Sequence, residues 1–130
     1  MTQAFNDNQP EEYDRLMQAN VVRVFSERNA DNRLKAIREL YAEDAVLSDP
    51  ETIAQGHTAI NEAVTSLLKS LPPGFVFRAT GPAVGHHNLG RLKWQSGPPG
   101  GPIAITGMDV AQFKGNLIHD LFVFVEPKEG

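Results

Sequence analysis

Two aspartates carry the chemical signal in this chain. Asp49 closes the run Tyr41-Ala-Glu-Asp-Ala-Val-Leu-Ser-Asp49-Pro50. Asp109 lies inside Ile103-Ala-Ile-Thr-Gly-Met-Asp109-Val-Ala-Gln-Phe113. If the second run is a strand, alternation puts Ile103, Ile105, Gly107, Asp109, Ala111 and Phe113 on one face. All of these except Asp109 are apolar or glycine, so its carboxylate would be short of water, which raises a carboxyl pKa. Two such acids facing one cavity would form a proton-transfer site, one as base and the other as acid or hydrogen-bond donor. Each also has a plainer reading. Asp-Pro is an ordinary turn starter, and a buried aspartate can simply accept backbone hydrogen bonds.

Other polar residues are weaker candidates. Along the last apolar run, Ile118, Asp120, Phe122 and Phe124 share one face, and Leu117, His119, Leu121, Val123 and Val125 the other. His86 and His87 are adjacent; in a strand they would point to opposite faces and could not both serve one site. His57 stands at a helix start and is expected to be exposed. Trp94 alternates with Leu92 and reads as a core, interface or cavity-wall residue. With no cysteine and no His-x-x-x-His spacing, no metal site and no cofactor is expected. Gly97-Pro-Pro-Gly-Gly-Pro102 lacks the Gly-Lys-Ser/Thr of a phosphate loop.

The elements that must hold these residues follow from spacing. Tyr13, Leu16, Met17, Val21, Val24 and Phe25 recur on one helical face, with Glu11, Glu12 and Asp14 in the first turn, where the helix dipole favours acids. Leu34, Ile37, Leu40 and Tyr41 predict a second helix. Ile60, Val64, Leu67, Leu68 and Leu71 predict a third over Thr58–Ser70. A short strand precedes Asp49-Pro50. After Pro72-Pro73-Gly74 the chain reads as strands over 75–79, 83–95, 103–113 and 117–125. Gly85 and Gly90 are bends in the second of these, and Gly115-Asn116 is a primed hairpin turn before the last. The order is ααβαββββ, an α+β pattern.

At 130 residues with 41% hydrophobic content, the chain has material for one core. The expected organisation is a flexible arm over 1–10, a single domain over 11–126 and a tail over 127–130. Twelve basic against sixteen acidic residues give a net charge of −4. That disfavours nucleic acid or an anionic membrane as partner. No apolar run reaches membrane-span length and Met1–Glu12 is polar, so a cytoplasmic protein is expected.

Four local patterns in this order resemble the nuclear transport factor 2-like superfamily, in its SnoaL-like and ketosteroid-isomerase-like branch. They are Tyr41-Ala-Glu-Asp-Ala-Val with Asp49-Pro50, Gly56-His-Thr-Ala-Ile60, Gly107-Met-Asp109-Val-Ala-Gln-Phe113, and Gly115-Asn-Leu-Ile118. The resemblance covers roughly residues 16–125. It implies a cystatin-like fold, with a cone-shaped, curved antiparallel sheet wrapped around three helices, and a homodimer formed through the outer sheet face. It places Asp49 where ketosteroid isomerases keep their general base, and Asp109 where they keep a protonated, donating aspartic acid. By count back from Tyr41, their oxyanion-hole tyrosine falls on Phe25, which has no hydroxyl. The implied ligand is a small apolar carbonyl or polycyclic molecule. Phe25, Tyr41, Trp94, Ile105, Ala111, Asp120, Phe122 and Phe124 would line its pocket around Asp49 and Asp109. The implied activity is isomerase, cyclase or dehydratase chemistry without a cofactor. The alternative is a binding domain that uses the same pocket without turnover.

Overall fold

The computed structural model describes residues 9–126. The tail over 127–130 and all but the end of the proposed arm lie outside them. Helix α1, Pro10–Ala19, begins with a proline at its first position, where no intrahelical N–H is needed, and places Glu11 and Glu12 in its first turn. It continues into a wider π-helical segment, Asn20–Phe25. That segment closes with Ser26 N donating to Val21 O over five residues at 2.9 Å. The Asn29 side chain caps helix α2, Ala30–Leu40, by accepting from Asn32 N. Helix α3, His57–Ser70, buries Ile60, Val64 and Leu68. Buried Arg33 of α2 ties the two together. It donates to Asn61 Oδ1 and Thr65 Oγ1 of α3 and, through Nη1, to Glu27 O.

The strands are β1 Tyr41–Ser48, β2 Ile53–Gln55, β3 Val76–Ala79, β4 Val84–His86, β5 Leu89–Gly97, β6 Ile105–Lys114 and β7 Leu117–Val125. They form one sheet in the order β2-β1-β7-β6-β5-β3, with β4 also on β5. The α+β class and the main order ααβαββββ hold, with the three-residue strands β2 and β4 added. The cone-shaped antiparallel sheet expected from the sequence is corrected. The sheet is open, ending in β2 and β3, and it is mixed, because β1 runs parallel to β7. A parallel neighbour needs a long crossover, and here α3 and the β3–β6 segment supply it.

The predicted strand over 83–95 is a hairpin instead. His87 and Asn88 take φ of 49° and 66° and turn β4 back onto β5. Gly85 and Gly90 face each other across this hairpin. A Cβ on Gly85 would lie 2.5 Å from Tyr13 Cγ, so the glycine lets α1 approach the sheet.

The β7 register departs from simple alternation. Phe113 pairs with Ile118, but Gln112 pairs with Asp120, leaving His119 as one extra residue. Ile118 and Leu121, three apart, are both fully buried. Beyond this bulge Leu121, Val123 and Val125 oppose Ala111, Asp109 and Gly107. Asp120, Phe122 and Phe124 are thereby moved off the inner face, which corrects their expected place in the pocket. A one-residue slip exchanges the two faces of a strand.

Candidate functional site

A cavity of ≈ 140 Å³ opens between the sheet and the helices. Its floor is Asp109 and Ile105 of β6, Trp94 of β5, Phe77 of β3, and Val123 and Val125 of β7. Val21 and Phe25 of the π-helical segment and Leu67 and Leu71 at the end of α3 form the opposite wall. Asp49, Pro50 and Glu51, just after β1, complete the lining. The walls are apolar; the charged side chains among them are all carboxylates.

Asp109 is 3% exposed. Its Oδ1 accepts a hydrogen bond from Trp94 Nε1 at 2.9 Å. Burial raises the carboxyl pKa to about 7, and the indole bond partly opposes that rise. Around neutral pH the group is therefore a mixture of carboxylate and neutral acid, and the acid can donate.

The approach of Trp94 to Asp109 depends on Gly107. Trp94 pairs with Gly107 across β5 and β6, and Asp109 pairs with Leu92. A Cβ on Gly107 would lie 2.3 Å from Trp94 Cζ2 and 2.4 Å from the Phe124 carbonyl oxygen. The indole thus lies over the bare glycine and reaches diagonally to Asp109. Phe77 meets the indole edge-on at 5.3 Å, and Phe25 meets Phe77 at 6.0 Å.

Asp49 is half-buried at the cavity edge. Its Oδ1 accepts from Glu51 N at 2.9 Å and Thr52 N at 2.7 Å, and its own N–H donates to Thr52 O. This is the Asx turn that Asp-Pro suggests, and it ties β1 to β2. Both side-chain bonds fall on Oδ1, so Oδ2 takes part in neither.

Of the residues expected to line the pocket, Phe25, Trp94 and Ile105 do so, together with both aspartates. Tyr41 lies behind the cavity rather than in it, 1% exposed, with its hydroxyl donating to Asn20 Oδ1. Its phenol is pushed well above the ordinary range, first by burial and then by the charge of Asp109. Ala111 shares the Asp109 face but is sealed at 0% exposure outside the lining. Phe122 and Phe124 are 40% and 56% exposed. The Asp120 carboxylate accepts from His119 Nδ1 at 2.7 Å, outside the cavity. As lining residues, sequence reasoning missed Phe77, Val123 and Val125, and also Val21, Pro50, Glu51, Leu67 and Leu71. The first could have been read from its strand; the β7 valines were hidden by the bulge.

The histidines are elsewhere. His57 is half-buried, not exposed: its Nε2 lies 3.0 Å from both the Tyr41 and Ala42 carbonyl oxygens, so that nitrogen carries the proton. His86 and His87 do not diverge. Their Nδ1 atoms are 2.9 Å apart, because His87 leaves the strand for the left-handed turn. Neither lines the cavity. Among the described residues no group of three or more His, Asp or Glu could hold a metal ion. Among them, too, no helix is long and apolar enough to cross a membrane.

Comparison with solved structures returns the same architecture. A candidate isomerase of the SnoaL-like family from Agrobacterium tumefaciens superposes with a TM-score of 0.83 at 21% identity, over 90% of this chain and 99% of that one. A candidate ketosteroid isomerase from Kribbella flavida gives 0.67 at 14%, over 93% and 85%. A candidate polyketide cyclase from Sinorhizobium meliloti gives 0.62 at 17%, over 88% and 94%. At these identities the likeness concerns fold. No curated protein matches the sequence. The SnoaL-like domain model matches residues 21–121, a span that holds both aspartates and every cavity wall except Val123 and Val125, and the chain therefore belongs to the SnoaL-like domain family.

Proposed function

We propose that the cavity binds a small, neutral, mostly apolar carbonyl compound and that its acids move a proton on it, as in isomerase, cyclase or dehydratase chemistry. One observation carries this reading: Asp109 is a buried acid in an apolar cavity, with its pKa raised to about 7. A protonated Asp109 donates a hydrogen bond to the substrate oxygen. Asp49 removes a proton from the carbon beside the carbonyl, and the resulting enolate oxygen is held by the Asp109 donor. The proton then returns from Asp49 to a different carbon. No organic cofactor or metal has a role in this scheme.

The cavity also bounds the ligand. Its ≈ 140 Å³ is close to the roughly 150 Å³ that takes one benzene-sized ring, which favours a monocyclic compound over a polycyclic one. Asp49, Glu51 and Asp109 repel a carboxylate ligand. The names of the structural relatives, a candidate isomerase and a candidate cyclase, agree with this class.

The test uses 3-cyclohexen-1-one, whose conversion to the conjugated 2-enone is followed by ultraviolet absorbance. The rate with the protein should exceed that of buffer. It should fall by about 10² or more in both Asp109→Asn and Asp49→Asn. A rate no greater than buffer, with ring protons of the ketone still contacting the cavity by NMR, would favour the second reading, a binding domain without turnover. Two features favour that alternative: Phe25 offers no hydroxyl in the cavity, and Asp49 Oδ1 is held by the turn. Neither turnover nor contact would refute both.

The working unit in this proposal is the single domain over 11–126, cytoplasmic and homodimeric. The outer sheet face supports the dimer, since Phe122 and Phe124 are exposed there beside Val110 and Met108 of β6.

A further inference from the structure

We propose that Trp94 is a positioning residue for Asp109: its indole N–H holds Oδ1, so the proton of the neutral acid sits on Oδ2, the oxygen presented to the cavity. This rests on the reading of Asp109 as the acid of the site, and it adds the group that orients that acid.

An indole N–H donates and cannot accept. When Asp109 is protonated, Oδ1 therefore keeps the better-accepting role of carbonyl oxygen toward Trp94, and the hydroxyl forms at Oδ2. Among the described residues the hydrogen bonding of Asp109 runs through Oδ1 alone, while the residue lines the cavity. Oδ2 is thus left for the ligand. The indole is itself fixed. Gly107 leaves room beneath it, and Phe77 meets it edge-on with ring centroids 5.3 Å apart. A donor held from behind in this way loses little freedom when it meets a substrate oxygen.

The other titratable groups around Asp109 do not take this role. Tyr41 of β1 stays neutral, its phenol pushed up by burial and then by the charge of Asp109, and its hydroxyl is spent on Asn20. Asp49 and Glu51 line the same cavity from beyond β1. The strand partners of Asp109, Leu92 of β5 and Val123 of β7, do not titrate. Nor do the helix residues of the cavity wall, Val21, Phe25, Leu67 and Leu71.

The chain has one tryptophan, so its indole N–H gives one signal in a nitrogen–proton spectrum. In the wild-type protein that signal should shift with pH at the midpoint of the Asp109 carboxyl, read by carbon-detected NMR. In Asp109→Asn the shift should vanish. In Trp94→Phe, which keeps an aromatic ring and deletes the donor, proton affinity of Asp109 should rise about tenfold. The pH profile of ketone binding should move to higher pH with it. An indole signal flat through the Asp109 titration would overturn the proposal, as would an unchanged or lower Asp109 pKa in Trp94→Phe. If Trp94→Phe does not fold, the wild-type indole titration decides. The two readings fail separately. An indole that follows an Asp109 titrating near 4 sinks the acid but keeps the positioning; an Asp109 near 7 with an indifferent indole does the reverse.

Discussion

The Tyr41 hydroxyl donates to Asn20 Oδ1, tying the first residue of β1 to the first residue of the π-helical segment. Both residues are 1% exposed. Val21, the next residue, and Phe25, at the end of that segment, line the cavity. Tyr41→Phe leaves the Asn20 oxygen buried without a partner and should destabilise the fold by about 1–3 kcal/mol. Asn20→Leu should do likewise. The double variant should lose less than the sum, since a shared bond is counted once. Denaturant melts of the four proteins test this; strict additivity would contradict it.

Asp109 should make stability fall as pH rises. Its folded pKa, about 7, lies above the ordinary 3.8. Between those values the folded chain keeps a proton that the unfolded chain has released, so raising the pH favours unfolding. The loss is on the order of 4 kcal/mol across the window and adds nothing further above about pH 8. Asp109→Asn keeps an oxygen for Trp94 and removes the charge. The stability difference, variant minus wild type, should grow from pH 4 to pH 7 and then level. A difference that stays flat, or a variant less stable at pH 8, would show an aspartate that works structurally as an anion.

Much of this site is legible in the sequence because β6 alternates without interruption, which puts Asp109 among Gly107, Ala111 and Phe113 on the inner face. The β7 face was misread because a bulge leaves no mark in hydrophobic pattern: Ile118 and Leu121 are both apolar, and so are Phe122 and Val123. The parallel β1–β7 pair was invisible for a related reason, as pairing between strands far apart in sequence is decided by tertiary packing. His87 and Asn88 are residues that tolerate positive φ, but a histidine pair draws attention to metal chemistry rather than to a turn. The Trp94–Asp109 bond required the diagonal path over Gly107, which no one-dimensional spacing encodes.

The bulge has its own electrostatic consequence. His119 meets Asp120 at 2.7 Å through Nδ1 and Asp44 at 3.5 Å through Nε2. Its pKa is raised, first by the bond to Asp120 and less by Asp44. A histidine with a raised folded pKa stabilises fully below its unfolded value of about 6.5, and that contribution is lost as pH rises through the folded value. In Asp120→Asn the His119 pKa should drop, and in Asp44→Asn it should drop less. Proton NMR titration of the imidazole ring reads both; a larger drop for Asp44→Asn would reverse the assignment.

The proposed homodimer predicts that one charge on the outer sheet face will separate the subunits. Phe124 is 56% exposed and pairs with Met108, and Phe122 pairs with Val110. Light scattering at micromolar concentration should give twice the chain mass for the wild type and one chain mass for Phe124→Lys. A monomeric wild type would refute the dimer.

Gly107→Ala tests whether the indole seat is as tight as the geometry implies. The added Cβ would lie 2.4 Å from a backbone oxygen of β7 as well as 2.3 Å from the Trp94 ring. The ring could rotate away, but the Phe124 carbonyl belongs to the ladder and cannot yield without loosening β6 from β7. Overpacking of this kind costs about 1–3 kcal/mol, so the variant should melt earlier and yet remain foldable. Because Trp94 is the sole tryptophan, its fluorescence reports the seat directly. Displacement toward the cavity opening should shift emission to longer wavelength and make the indole easier to quench with iodide. It should also break the hydrogen bond to Asp109, so the carboxyl should titrate higher than in the wild type. An alanine variant with unchanged melting, emission and Asp109 titration would mean that the strand spacing relaxes to accept the methyl, and that Gly107 does not set the indole position.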